Sequence, residues 1–216
     1  EWKKVNLPHD WSVGLPYDSI SGEGCVAFLQ GGIGWYSKSF PTTISANQKC
    51  YIVFDGVYNN SEYWINGKKL GYHLSGYAPF YFDVTDYLNP NEDNRMTVRV
   101  DHSHYADSRW YTGSGIYRDV KMIVTDRLHI PVWGTFVTTP VVTDKYAKVN
   151  NQITVRNSYS EPRTAVVEIV YKDNKGNIAA FEVFSIKLNA GEEKIIDIVS
   201  EIKQPDLWSV EIPVLY

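Results

Sequence analysis

Cysteine is scarce: the 216 residues hold two, Cys25 and Cys50, and neither lies in a Cys-x-x-Cys arrangement. Zinc ribbons and redox motifs need that spacing, so neither has support here. A disulfide between the two and a pair of buried thiols both fit, which leaves the compartment open. Charge of one sign is lacking as well. There are 25 acidic residues against 21 Lys and Arg, a net charge of −4, with no basic patch or like-charge run. Nucleic acid is therefore not an expected partner. No apolar stretch is long enough to span a bilayer, so no membrane segment is expected. The sequence starts at Glu1 without a methionine and carries no signal peptide; a leader already removed and a trimmed start both account for this.

Helical periodicity is almost missing. No stretch beyond about ten residues keeps apolar positions at i, i+3, i+4, i+7 without turn formers. Short β-branched and aromatic runs are there instead: Tyr51–Phe54, Ser61–Ile65, Phe80–Val84, Met96–Val100 and Ile116–Val124. Turn signals separate them. Asn66-Gly67 is the strongest, because both residues tolerate the positive φ of a tight hairpin turn. Gly71, Gly76 and Asn89-Pro90 are read as further punctuation. Many short strands at this spacing predict an all-β sandwich or jelly roll.

The texture changes near Arg127. Up to there the loops are long and rich in Trp, Tyr and Gly. Beyond it, alternating runs appear at Gln152–Arg156, Ala165–Tyr171, Phe181–Ile186 and Lys194–Val199, joined by short turns. Alternation means one buried and one wet face. Residues 1–127 are thus expected to form one domain and residues 128–216 a small immunoglobulin-like β-sandwich. Aromatics make up 14% of the chain, with 16 Tyr and 7 Trp. Each ring offers an apolar face and, in Tyr and Trp, one polar atom, which suits a sandwich core and a sugar-facing surface alike.

Five segments, in order, carry a resemblance. They are Asn6–Trp11, Gly32–Phe40, Phe54–Val57 with Trp64–Gly71, Gly76–Thr85, and Arg109-Trp-Tyr-Thr-Gly-Ser-Gly-Ile-Tyr-Arg118. Together they resemble the sugar-binding domain that opens glycoside hydrolase family two, the family of β-galactosidases, β-glucuronidases and β-mannosidases. Pro205–Tyr216 is similar to part of that family's immunoglobulin-like domain. The resemblance implies a galactose-binding-like jelly roll followed by an immunoglobulin-like sandwich. It also implies a β-galactosidase-like hydrolase of O-glycosidic bonds, with carbohydrate as its partner. In the family, two glutamates on a (β/α)₈ barrel do the chemistry, and a barrel needs about 250 residues. The expectation is therefore a non-catalytic fragment, trimmed at both ends and inactive alone, whose second partner is its own absent barrel. No cofactor is evident. The family permits a periplasmic or secreted bacterial setting. A free-standing carbohydrate-binding module and a β-sandwich adhesion or scaffold protein are the competing readings, since fold alone does not fix function.

The resemblance points to Asp107, Arg109 and Trp110 as substrate-binding residues, because in the family this loop leans toward the barrel mouth. A carboxylate accepts from sugar hydroxyls, a guanidinium donates two bonds, and an indole stacks on a pyranose. Bracing the barrel interface is the alternative role for Arg109 and Trp110. Asp10 is read as capping a local turn. Asp83 with Asp86, and Glu192 with Glu193, are read as turn or surface charges rather than as an acid pair, which needs carboxyls about 5–5.5 Å apart. His102 and His104 would project the same way from a strand and suit a metal, but a loop is the expectation there. Gly113-Ser114-Gly115 is not a phosphate cradle, since no helix follows it.

Overall fold

The computed structural model describes residues 2–20, 24–103 and 110–216. It is all-β: among the described residues the only helical turns are the 3₁₀ segments Ser12–Gly14, Gly24–Val26 and Thr85–Tyr87. The chain divides into two compact units, Glu1–Thr125 and Asp126–Tyr216.

The first unit is a jelly-roll sandwich. Its strands are β1 (Gly32–Pro41), β2 (Gln48–Phe54), β3 (Ser61–Ile65), β4 (Lys68–His73), β5 (Phe80–Asp83), β6 (Asp93–His102) and β7 (Val120–Asp126). One sheet has the order β1-β6-β3-β4 and the other β5-β2-β7. Strand β2 is central in its sheet and buried on both faces, which explains its unbroken apolar run. In β6 the alternation instead sends Met96, Val98 and Val100 inward, against Cys50, Ile52 and Phe54 of β2.

Aromatic rings fill the space between the sheets. Fully buried Tyr63 packs on Phe54 at 4.8 Å, on Phe80 at 5.2 Å and on Phe82 at 5.0 Å between ring centroids. Its hydroxyl donates to Ser61 Oγ (2.6 Å), which satisfies the polar tip of an otherwise apolar position. Burial pushes that phenol far above its ordinary value. Cys50 is fully buried and Cys25 exposed, and the two form no disulfide. Burial pushes the Cys50 thiol up to about 11.

The Asn66-Gly67 turn joins β3 to β4 with φ of 51° and 79°, the two positive values of the favoured two-residue hairpin. Gly71 does not punctuate, contrary to the sequence reading. Tyr63 pairs with Gly71 but Trp64 pairs with Lys69, so Leu70 is an extra residue in a β-bulge inside β4. A Cβ on Gly71 would stand 3.0 Å from the Phe82 ring. The run Ile116–Val124 is also shorter as a strand than expected, because β7 begins at Val120. The backbone before it is engaged by other loops: His9 N–H donates to Ile116 O (2.7 Å) and Asp55 N–H to Asp119 O (3.0 Å).

The second unit is an immunoglobulin-like sandwich of β8 (Leu128–His129), β9 (Thr135–Val142), β10 (Tyr146–Asn157), β11 (Arg163–Lys172), β12 (Ile178–Leu188) and β13 (Glu193–Lys203). One sheet has the order β13-β10-β8, with β9 also on β10, and the other pairs β11 with β12. Ile153 and Val155 of β10 meet Val167 of β11 and Leu188 of β12 in the core. Strand β9 has no counterpart in the sequence reading. Its Thr, Phe and Val residues favour a strand, but it is exposed along nearly its whole length and contains Pro140, so no alternation marks it; a proline is tolerated at a sheet edge.

Two buried asparagines fasten loops to these cores. Asn94, fully buried, donates to Thr42 Oγ1, Asn89 O and Glu92 O, each at 3.0 Å. It also accepts from Asn66 Nδ2 (2.7 Å) and Asn89 N–H (2.8 Å). In the second unit, Asn157 donates to Glu161 O and Asn189 O, each at 2.8 Å. Asn94→Ala orphans several buried groups and should lower unfolding free energy by about 3 kcal/mol in urea titrations. His73 stacks on Phe80 with centroids 3.9 Å apart. Burial holds its imidazole below the usual value, against an opposing contact with the Ala78 backbone. The unfolded chain therefore takes up the proton first, at about pH 6.5. Stability from this residue is full above that pH and is lost as pH falls toward the folded value. Melting curves at pH 7 and pH 5 should show a smaller acid loss in His73→Gln than in the native chain.

Candidate functional site

The bend at Gly113-Ser114-Gly115 is held on three sides at one end of the first sandwich. Gly113 and Gly115 have φ of 77° and 119°, where a side chain is strained. A Cβ at Gly115 would stand 2.2 Å from the Tyr36 hydroxyl. On one side lies the opening loop, whose Trp11 N–H donates to Ser114 O (3.1 Å). On another, Tyr58 and Gly115 exchange backbone bonds of 2.9 and 2.8 Å. From the third side comes the end of β6, where His102 Nδ1 is 2.7 Å from Ser114 Oγ.

Asp10 ties this arrangement together. Its Oδ1 accepts from the N–H groups of Ser12 (2.9 Å) and Ser114 (3.0 Å). Its Oδ2 accepts from the Tyr111 hydroxyl (2.5 Å). The first of these bonds is the turn cap expected from the sequence; the other two join segments a hundred residues apart, which sequence could not reveal. Burial, followed by the bond to Asp10, keeps the Tyr111 phenol well above its ordinary value, so it remains a protonated donor. Tyr36, whose hydroxyl is 2.9 Å from His9 Nδ1, is pushed up to about 12 by burial and the nearby Asp10 carboxylate.

Ser114, His102 and Asp10 have the composition of a hydrolase triad but not its geometry. Ser114 is 1% exposed, and Asp10 bonds the Ser114 amide, whereas a triad carboxylate orients the histidine. The three serve packing. Of the other carboxylates weighed in the sequence, Asp83, Glu192 and Glu193 are also engaged structurally. Asp83 pairs with Lys49 (2.7 Å) and caps Thr85 N–H (3.0 Å). Glu192 accepts from Asn189 N–H (2.5 Å), and Glu193 pairs with Arg156 (2.5 Å). Among the described residues no group of three or more His, Cys, Asp or Glu could hold a metal; His104 lies outside them.

Of the three expected substrate contacts, Asp107 and Arg109 lie outside the described residues. Trp110 is described and 58% exposed. Its indole N–H donates to the Tyr77 hydroxyl (3.0 Å), and Tyr77, 47% exposed, packs edge-on against buried Tyr58 at 5.5 Å. The chain Trp110–Tyr77–Tyr58–His102 thus fixes an exposed aromatic edge to the core. Tyr77 was missed in the sequence; the only hint was its place in Gly76-Tyr-Ala-Pro79. A Cβ on Gly76 would strike the Tyr58 ring at 2.0 Å, so that glycine makes room for the ring that braces Tyr77. Beside it, Tyr117 donates to Gly76 O (2.7 Å) and helps Pro8, Asp55, Pro79 and Arg118 line a shallow cavity of about 510 Å³. Exposed rings braced by buried ones, next to hydrogen-bonding side chains, suit a polyhydroxylated ligand.

Comparison with known proteins agrees with this chemistry. Residues 25–126 match the sugar binding domain of glycosyl hydrolases family 2, and residues 128–216 match a second domain of glycosyl hydrolases family 2. The chain belongs to that family. It is 39% identical over its whole length to the β-galactosidase BoGH2A of Bacteroides ovatus, and 34% identical to a putative β-glucuronidase of Formosa agariphila. It spans 26% and 20% of the lengths of these relatives. A solved family 2 structure from Bacteroides cellulosilyticus superposes over 99% of the chain with a TM-score of 0.89 at 34% identity, the match covering 29% of that protein.

Asp10→Ala removes three bonds, from the Ser12 and Ser114 N–H groups and the Tyr111 hydroxyl. It should cost about 2–3 kcal/mol of stability, measured by denaturant unfolding, and Asp10→Asn should restore part of it.

Proposed function

We propose that this chain is the non-catalytic opening part of a retaining, β-galactosidase-like glycoside hydrolase. Bond cleavage then belongs to a (β/α)₈ barrel elsewhere in the polypeptide. The jelly roll and the following sandwich hold that barrel, and Asp107, Arg109 and Trp110 form one wall of its sugar pocket. The observation that carries the reading is the Trp110 edge: a solvent-exposed indole that a chain of rings fixes in place. Exposure of a rigid ring has a cost in water that contact with a sugar face offsets. Identity of 39% to a β-galactosidase, against 34% to a putative β-glucuronidase, favours a galactoside as substrate.

A retaining hydrolase needs two closely spaced carboxyls, one kept protonated. Asp83, Glu192 and Glu193 are committed to caps and ion pairs, which supports placing catalysis elsewhere.

The 216-residue chain alone should not hydrolyse a nitrophenyl β-galactoside. In the natural polypeptide that carries it, Trp110→Ala should lower kcat/KM for that substrate roughly tenfold, the worth of one aromatic contact of about 1–1.5 kcal/mol. Unchanged kinetics would remove Trp110 from the pocket wall, and hydrolysis by the chain alone would remove the whole proposal.

A further inference from the structure

The outer face of the β1-β6-β3-β4 sheet carries side chains that neither the core nor the loop cluster uses. Trp35 on β1 lies directly opposite Arg99 on β6, which lies opposite Glu62 on β3, which lies opposite Tyr72 on β4. The four form one row across the sheet. Trp35 also stacks on Trp64 of β3, with centroids 5.6 Å apart and planes inclined by 28°. The Lys69 ammonium sits 5.6 Å from the Trp64 ring centre and also bonds Glu62. Arg99 holds two carboxylates, Glu62 at 3.1 Å and Asp101 at 2.7 Å. Glu62, Lys69, Arg99 and Asp101, with Asn60 and Tyr72, line a depression of about 240 Å³.

We infer that this depression, with the indole pair beside it, is a second carbohydrate-binding site, for a neutral sugar unit of an oligosaccharide. Three features of the face support this. Tyr72 is 67% exposed and Trp35 49% exposed, so two large rings meet solvent on a strand-backed surface. The polar groups are fixed before any ligand arrives. Lys69, and then Arg99, pin Glu62, holding its carboxyl below the usual range, and side chains fixed in advance lose little entropy on binding. The charges balance as well: two carboxylates face two cations. An acidic sugar would meet Glu62 and Asp101, and a cationic one would meet Arg99 and Lys69. A neutral polyol finds acceptors in the first pair, donors in the second, and a ring to stack on. The depression is smaller than those that enclose drug-sized ligands, about 300 Å³ and above, which suits one sugar ring with its neighbours lying along the face.

This site is separate from the Trp110 edge, and its test does not depend on hydrolysis. Galactotetraose and cellotetraose, titrated into the 216-residue chain by calorimetry and by amide chemical-shift mapping, should bind in the millimolar range and shift β3, β4 and β6 residues. Tyr72→Ala should weaken binding at least tenfold with an unchanged melting curve, and should erase the shifts on β3, β4 and β6. Tetragalacturonate should bind no more tightly than the neutral tetramers. The inference is overturned if neither neutral tetramer binds, if Tyr72→Ala binds as the native chain does, if the chemical shifts change at the Gly113–Gly115 bend rather than on β3, β4 and β6, or if the acidic tetramer binds best. In the natural polypeptide, Tyr72→Ala should raise KM for a galactan polymer and leave nitrophenyl galactoside kinetics as they were. Such a result would leave the role of the Trp110 loop to its own assay.

Discussion

The carboxylate of Asp10 carries the constraint on which the loop end of the first sandwich depends. The Gly113-Ser114-Gly115 bend turns back into the body of the unit, and its polar groups leave water there. Buried backbone donors left without partners each cost on the order of 1–3 kcal/mol. Asp10 supplies an acceptor to the Ser114 amide, and Ser12 and His102 close on the Ser114 hydroxyl. Because Asp10 also caps its own turn and takes the Tyr111 hydroxyl, one residue fixes the opening loop and the bend together. The aromatic edge beyond the bend inherits its position from that junction.

The chain uses its many aromatic residues in two ways. Between the sheets, Phe54, Tyr63, Phe80 and Phe82 interlock as core, and the hydroxyl of Tyr63 is satisfied internally. At the loop end and on the outer sheet face, Trp110, Tyr77, Trp35 and Tyr72 remain exposed, but Tyr77 and Trp35 pack on another ring and Trp110 is hydrogen-bonded to Tyr77. A single exposed ring needs no explanation. Rings braced from behind are stiff, and stiffness is what lowers the entropic cost of holding a ligand. The family's sugar-binding domain and the physical character of these surfaces point the same way.

Several elements were legible in the residues themselves. The Asn66-Gly67 hairpin was legible because two consecutive positive φ values admit few residues. The long strands of the second unit were legible because one wet face enforces alternation. Other elements were harder to read. Strand β9 is rich in Thr, Phe and Val, but it is an exposed edge broken by a proline, so no alternation set it apart before its pairing with β10 was seen. Gly71 reads as a turn in one dimension, and only the bulge at Leu70 and the ring of Phe82 place it inside a strand.

The sequence by itself determined the all-β class, the change of texture near Arg127 and the motifs that resemble one hydrolase family. These follow from local spacing, which a chain carries wherever it goes. Only the tertiary structure decided that Asp10 and Ser114 share a hydrogen bond, that Tyr77 holds Trp110, and that Trp35, Arg99, Glu62 and Tyr72 form one row. Those contacts join residues tens to a hundred positions apart, and strand register, which no local pattern encodes, brings them together.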